Sequence, residues 1–189
     1  MLQVTLLYAS RFGQTQAIAQ ALADNLIKLG WQVNCQNIMQ QPVPPAHGMH
    51  LLLMPVFFGQ PWQQATQWLA DHRQRLSQPL LAMVSVSLSA RKQQYREVTN
   101  NPFLAKMREQ LDLPVLFEAA IAGALELEHC NWWEKLMLKR ILAFGRVNSR
   151  LAAKLVFTDW QQVEQLAEDI DQGYRQMLAN QSKLLSSQS

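Results

Sequence analysis

Cysteine is scarce in this sequence, with only Cys35 and Cys130 among its 189 residues. Two isolated cysteines form neither a disulfide framework nor a zinc cluster, so both kinds of small stapled fold are excluded. Cys35 stands in a predicted strand, where a buried and unreactive thiol is expected. The four histidines show no spacing typical of metal ligands, and the sequence therefore predicts no metal site.

Long hydrophobic runs are also missing. The longest candidate, residues 136–144, is interrupted by Lys139 and Arg140 and falls well short of the ~20 residues that cross a bilayer. The first predicted strand begins at Leu2, which leaves no room for a signal or transit peptide. We therefore expect a cytoplasmic protein that at most rests on a membrane surface.

The net charge is small, +3, and it is concentrated in one segment. Residues 126–157 contain six basic and three acidic side chains, so this segment carries the whole excess. A local basic patch of this kind indicates an anionic ligand or surface at that place. It argues against a general nucleic-acid-binding protein.

Strand and helix patterns alternate along the chain. Short apolar runs predict strands at residues 2–8, 31–38, 50–56, 80–86 and 114–123. Helical spacing of apolar residues predicts helices at residues 14–29, 61–76, 101–111 and 159–178, the second of them with Pro61 in its first turn. Such alternation predicts an α/β fold, a doubly wound five-stranded parallel sheet in the order 2-1-3-4-5.

The length suits one domain, which we place at residues 1–178, with a polar tail at 179–189. Residues 126–157 are more than a plain connection needs, and they form an insertion after the fifth strand. The closing helix is expected to bury one face and to be capped by Thr158 or Asp159. That face comprises Trp160, Val163, Leu166, Ala167 and Ile170.

The loop after the first strand carries the main chemical signal. It consists of Ser10, Arg11, Phe12, Gly13, Gln14 and Thr15. Backbone N–H groups at the start of a helix attract an anion, a glycine allows its close approach, and the hydroxyls add donors. The loop lacks the lysine of a Walker motif and the repeated glycines of a dinucleotide motif. It therefore favours a monophosphate such as that of FMN over ATP, GTP or NAD.

The segment from Tyr8 to Thr15 resembles the phosphate signature of flavodoxins. It is most similar to the version in menaquinone-dependent protoporphyrinogen IX dehydrogenases of bacterial haem biosynthesis. Three further stretches resemble that family, at residues 85–92, 121–125 and 156–163. The Ser-x-x-x-Ala-Arg-Lys pattern of the first stretch and the Thr-Asp-Trp of the third are the more specific ones. The resemblance extends over nearly the whole chain.

The resemblance implies FMN in contact with two further loops. After the third strand, Phe57, Phe58 and Gly59 are expected at the flavin ring, although core packing of the aromatic side chains is the alternative. This chain has Pro55-Val56-Phe57 where the family tends to have a polar, arginine-containing stretch. After the fourth strand, the residues expected at the pyrimidine edge are Ser85, Val86, Ser87 and Leu88. Arg91 and Lys92 follow, either to meet an anionic substrate or as solvated charges.

The insertion contains a helical pattern of tryptophan and leucine with basic side chains beside it. Trp132, Trp133, Lys139 and Arg140 are its candidate contacts with substrate or membrane. The alternative is a helix packed on its own domain.

The function implied by the resemblance is oxidation of protoporphyrinogen IX to protoporphyrin IX, with electrons passed to menaquinone or ubiquinone. The protein would then lie peripherally on the cytoplasmic face of the inner membrane. No paired carboxylates, Ser-His-Asp set or reactive cysteine presents itself, so the chemistry is expected at the flavin. Two alternatives remain: a flavodoxin-like electron carrier, which a basic chain disfavours, and an NAD(P)H-dependent quinone or nitro reductase on the same fold.

Overall fold

The structure is a computed structural model that describes residues 1–46, 48–76, 80–126, 132 and 154–186. Eight strands and four α-helices lie within these residues. The strands are β1 (Leu2–Tyr8), β2 (Trp31–Asn37), β3 (Met49–Phe57), β4 (Gln60–Pro61), β5 (Leu80–Ser87), β6 (Val115–Ala122), β7 (Ala124–Glu126) and β8 (Lys154–Val156). The helices are α1 (Gln14–Lys28), α2 (Gln63–Asp71), α3 (Pro102–Leu111) and α4 (Trp160–Ser186).

Five parallel strands form the main sheet in the order β2-β1-β3-β5-β6. Counting only the parallel strands, this is the predicted order 2-1-3-4-5, and the fold prediction is confirmed. β4 pairs antiparallel with the end of β3 and stands outside that order. The carboxyl ends of β1, β3 and β5 therefore meet at one edge, where doubly wound sheets bind ligands.

Each face of the sheet has its own apolar layer, because successive side chains of a strand point to opposite faces. Leu51 and Leu53 of β3 pack towards α1 and α4, while Leu52 and Met54 pack towards α2 and α3. All four side chains are fully buried. Continuous apolar runs in the central strands are thus explained by burial on both faces.

The second predicted helix, at residues 61–76, is wrong at both ends. Pro61 lies in β4, paired with Val56, and α2 begins at Gln63 and ends at Asp71. A proline is common in the first turn of a helix, but here the preceding strand turns back on itself and draws Pro61 into a hairpin. Asn101 caps α3 ahead of Pro102, because its Oδ1 accepts from the N–H groups of Phe103 and Leu104.

The closing helix α4 is longer than predicted and continues to Ser186, into the segment expected to be a tail. Asp159 caps it by accepting the N–H of Gln162 at 3.4 Å. Its predicted apolar face is buried except for Trp160, which is 47% exposed, so that part of the prediction is wrong. Trp160 is the first residue of the helix, about one turn before Val163, with which the buried face begins.

A buried polar cluster joins α4 to the start of β2 and the end of α1. Asp171 Oδ1 accepts from Trp31 Nε1 at 2.7 Å and from Arg175 Nε at 2.6 Å. Arg175 also donates to the carbonyl of Leu29 at the end of α1, at 3.0 Å. The Asp171 carboxylate therefore provides the acceptor for the buried Trp31 indole N–H. It also holds Arg175 in place for its hydrogen bond to the end of α1.

The segment after β6 leaves the sheet as β7, which pairs antiparallel with β8. This two-stranded ribbon forms the root of the predicted insertion, most of which lies outside the described residues. Among the described helices, none has both the length and the apolar character that a bilayer span requires.

Candidate flavin site

The loop between β1 and α1 is shaped by Ser10 and Gly13. Ser10 Oγ accepts the N–H of Gly13 at 3.1 Å and the N–H of Gln16 at 3.3 Å, so this hydroxyl folds the loop onto the first turn of α1. Gly13 has φ +84°, a left-handed conformation that a side chain would strain. No atom lies within 4 Å of the position that its Cβ would take, which leaves the loop open there.

The first turn of α1 fits a phosphate. Among the described residues, the N–H groups of Gln14 and Thr15 have no acceptor, as expected at a helix start. The Thr15 side chain is 4% exposed and stands at the same turn. Two backbone donors, a hydroxyl and the positive end of the helix dipole are therefore available to one anion.

Aromatic side chains line the space between this loop and the β3–β4 hairpin. The rings of Phe12 and Phe57 meet edge to face at 5.8 Å, and Phe57 meets Trp62 in the same way at 5.7 Å. The Arg11 guanidinium lies over Phe12 at 4.8 Å and near Phe57 at 5.9 Å. Arg11 thus stands against the aromatic wall, where cation–π contact holds it.

Phe58 and Gly59 form the two-residue turn between β3 and β4. Both have positive φ, +50° and +79°, which is the signature of the turn favoured in tight hairpins. Asparagine and glycine are the residues that usually supply it, whereas a phenylalanine is strained there. The Phe58 side chain is 45% exposed at the tip of the hairpin.

The loop after β5 brings few side chains to the site. The Ser85, Val86 and Ser87 side chains are buried, and Leu88 alone of the four predicted residues is partly exposed. Ser87 Oγ accepts the N–H of Ala90 at 3.2 Å and thereby tightens the turn that follows. The carbonyl of Ser87 accepts the N–H of Gly123 and that of Leu88 accepts the N–H of Arg91, so the partly exposed Leu88 side chain is the side-chain contact that this turn could offer a flavin.

Arg91 and Lys92 lie just beyond this turn. The Arg91 guanidinium is 5.7 Å from the centre of the Phe157 ring, so the structure gives it an aromatic neighbour that the sequence did not reveal. Lys92 is exposed. Trp132 is 68% exposed, while Trp133, Lys139 and Arg140 lie outside the described residues.

Two residues at the start of α4 were not predicted to take part in the site. Thr158 accepts from Gln14 Nε2 at 2.9 Å and donates to the carbonyl of Ala122 at 2.7 Å. Asp159 pairs with Arg96 at 3.5 Å. The Thr-Asp-Trp motif was the available signal, but only its capping role could be inferred from spacing.

Residues 5–150 match the flavodoxin domain family. The chain belongs to the flavodoxin family. This assignment confirms the predicted fold and FMN as the cofactor. An archaeal flavodoxin structure aligns with a TM-score of 0.53 and 9% identity, covering 92% of this chain and 99% of that one. At that identity the likeness shows the fold alone.

Curated relatives resemble the chain in sequence as well. A protein of Escherichia coli strain K12, named protoporphyrinogen IX dehydrogenase (quinone), is 28% identical over 171 residues, which is 89% of this chain and 94% of that protein. A Leishmania major protein of the same name is 26% identical over 102 residues, covering 54% of this chain and 44% of that protein. The resemblance stated from the sequence motifs is confirmed. The family and these relatives make the chain a flavin-dependent oxidoreductase.

Proposed function

We propose that this protein oxidises protoporphyrinogen IX to protoporphyrin IX and passes the electrons to a membrane quinone. The observation that carries the proposal is the match to the Escherichia coli relative of that name over 171 residues, nearly its full length. A shared flavodoxin domain alone would not separate this enzyme from an electron carrier.

Residues around the site suit such a substrate. The aromatic wall of Phe12, Phe57 and Trp62 offers apolar contact to a flat, hydrophobic macrocycle. Arg11 lies against this wall and Arg91 lies against the Phe157 ring, and a guanidinium is the preferred partner of a propionate carboxylate. Binding and orientation would therefore come from ring contacts, with two cations fixing the acidic edge.

FMN, when bound, supplies the two-electron redox chemistry. Each oxidation step removes two hydrogens from the substrate, and each quinone that accepts two electrons and two protons becomes a quinol. The part of the chain that the structure describes shows no acid–base pair at the site. The protein's contribution is then to hold the phosphate at α1, to hold the ring against the hairpin and to admit the two apolar reactants.

We further propose that the basic insertion contacts the cytoplasmic face of the inner membrane. Quinone and porphyrinogen both partition into lipid, and an exposed tryptophan beside basic residues suits the interface. Flotation with anionic liposomes tests this. Trp132→Ala and Trp133→Ala should reduce the fraction of protein that floats, whereas the control Trp160→Ala, which changes an exposed tryptophan outside the insertion, should not. Flotation that is equal in all three variants and wild type would refute it.

Cofactor binding has a matched control within the chain. Gly13 and Gly30 both flank α1, with φ of +84° and +88° and open space around the Cβ position. Gly13→Ala and Gly30→Ala should therefore cost similar stability, while only the first should weaken FMN binding. Equal FMN affinity in the two variants would contradict a phosphate site at this loop.

The reaction itself is tested under anaerobic conditions. Protein loaded with FMN should be bleached by protoporphyrinogen IX and recover its colour with a menaquinone analogue. Bleaching by NADPH but not by the porphyrinogen would identify a reductase instead. Bleaching by neither would favour an electron carrier and reject the proposed substrate.

A further inference from the structure

The Thr158–Asp159 pair has contacts that capping of α4 does not explain. Asp159 alone supplies the cap, through its bond to the N–H of Gln162. Thr158 makes no contact with α4 of that kind and points instead to the edge of the sheet, where it donates to the carbonyl of Ala122 at the end of β6. The pair therefore has a second role at the carboxyl edge, where the site lies.

One branch leads from Thr158 to the phosphate loop. Its hydroxyl accepts from Gln14 Nε2 at 2.9 Å, and the Gln14 side chain is 9% exposed. Gln14 is the first residue of α1 and one of the two residues whose N–H groups face the expected phosphate. A hydroxyl fixed to β6 thus determines where the first turn of α1 stands relative to the sheet.

A second branch leads from Asp159 to the loop after β5. Asp159 Oδ2 lies 3.5 Å from an Arg96 guanidinium nitrogen, and Arg96 Nε donates to the carbonyl of Ala90 at 2.9 Å. The N–H of Ala90 in turn bonds Ser87 Oγ. The partly buried ion pair is long, at 3.5 Å, and weak by itself, but it orients the guanidinium for its bond to the loop backbone.

The same two residues follow directly on the β7–β8 ribbon. β8 ends at Val156, and the N–H of Phe157 donates to the carbonyl of Gly123 at 3.1 Å. Only one residue separates the ribbon from Thr158. The root of the insertion is therefore fixed to the same point as the two loops.

We propose that Thr158 and Arg96 are positioning residues, which act through Gln14 and through the Ala90 turn to set the two FMN-facing loops relative to each other. Neither residue touches the cofactor. The inference rests on the proposed placement of FMN between these loops. It predicts energetic coupling between Thr158 and Gln14 that a purely structural role in α4 would lack.

The first test is a double-mutant cycle on FMN affinity, measured by fluorescence titration of apoprotein. Thr158→Val and Gln14→Ala should each weaken binding about 3- to 10-fold, because each breaks the same bond. The double variant should bind no more weakly than the poorer single variant, and Thr158→Ser should restore affinity. Fold-changes that multiply independently, or no rescue by serine, would overturn the proposal.

Thr66→Val is the matched control for this cycle. The Thr66 hydroxyl also donates to a backbone carbonyl, that of Gln63, at 2.9 Å, but it lies on α2 away from the phosphate loop. It should leave FMN affinity unchanged. An equal loss in Thr66→Val and Thr158→Val would show a general effect of stability and overturn the proposal.

The second test compares Arg96→Gln with Arg108→Gln as its control. Arg108 lies on α3 and pairs with Glu118 of β6, not with Asp159. The quantity measured is the ratio of dissociation constants for oxidised and reduced FMN. Reduction adds negative charge at the ring edge that the loop amides face, so Arg96→Gln should change the ratio by about threefold or more. A ratio that is unchanged, or that changes equally in Arg108→Gln, would overturn this branch.

Amide hydrogen exchange of the apoprotein separates this inference from the proposed function. Thr158→Val should speed exchange at residues 13–16 relative to Thr66→Val, whether or not FMN binds. If wild-type protein failed to bind FMN while this exchange difference appeared, the proposed function would fail and the coupling would stand. If exchange were equal in the two variants, the coupling itself would fail.

Discussion

Backbone strain at Phe58 leads to a prediction about stability that reverses the usual order of alanine and glycine. Phe58 has φ +50°, and the left-handed region costs an ordinary side chain about 1–2 kcal/mol. Phe58→Ala and Phe58→Gly both delete the ring, so the packing lost is the same in each. They differ in that alanine keeps the strain and glycine removes it.

The expected difference follows from two opposing terms. Glycine gains more freedom in the unfolded chain, which costs about 0.5–1 kcal/mol, and it escapes the strain of about 1–2 kcal/mol. Phe58→Gly should therefore be more stable than Phe58→Ala by about 0.5–1 kcal/mol. For a chain of this size that corresponds to roughly 1–4 °C in melting temperature.

Leu116 provides the control because it is a partly exposed apolar residue, 37% exposed, within β6 and with ordinary strand φ. There Leu116→Gly should be less stable than Leu116→Ala by about 0.5–1 kcal/mol. Urea unfolding of the four apoproteins measures both differences. The same order at both positions would refute the reasoning about Phe58.

Strain that persists in a native turn is expected to serve a function. If the Phe58 ring contacts FMN, both variants should bind the cofactor about 3- to 10-fold more weakly than wild type, since an aromatic contact contributes about 0.5–1.5 kcal/mol. Apoprotein stability and FMN affinity would then change independently. If Phe58→Gly bound FMN as tightly as wild type, the Phe58 ring would make no contact with the cofactor.

Three further predictions concern stability. Asp171→Ala should lower the free energy of unfolding by about 1–3 kcal/mol, since it leaves the buried Trp31 indole without an acceptor. Asp169→Ala, on the exposed face of the same helix, should change it by less than about 0.5 kcal/mol, and similar losses by urea unfolding would contradict the buried role of Asp171. Burial lowers the pKa of His50, with the Pro45 carbonyl opposing. His50 in the folded state therefore resists protonation more than in the unfolded chain. The free energy of unfolding should be highest above about pH 6.5 and should fall as the pH drops below that value. His50→Leu should flatten that dependence in urea titrations at several pH values, and an unchanged slope would reject the assignment. Gly173→Ala would place a methyl 2.6 Å from a phenylalanine ring of β6, so its melting temperature should fall by several degrees rather than rise as alanine in a helix normally would make it.

The parallel strands were predicted well because their signal is local. β1 was predicted at its full extent, and α1 was predicted within one residue, closed by Gly30. Alternation of such elements allows few topologies, so the strand order followed as well. The phosphate loop was recognisable because one glycine, two hydroxyls and a helix start lie within six consecutive residues.

The errors arose where a distant contact decided the local structure. Pro61 was assigned to a helix because a proline is common in the first turn. Its actual pairing with Val56 depends on the hairpin turn at Phe58 and Gly59, which the local pattern did not predict. Trp160 was assigned to the buried face from periodicity alone, although the buried face of α4 begins at Val163. Ser85 is fully buried within β5, and its expected contact with the flavin edge stays a prediction.

By itself the sequence determined the order of elements, the doubly wound sheet and the loop expected to receive a phosphate, because hydrophobic periodicity and helix-start chemistry act over a few residues. Only the tertiary structure decided which distant residues fix the site. Thr158 meets Gln14 across 144 positions of sequence, and Arg96 meets Asp159 across 63. Such contacts depend on how the sheet brings its carboxyl ends together, and no local pattern encodes them.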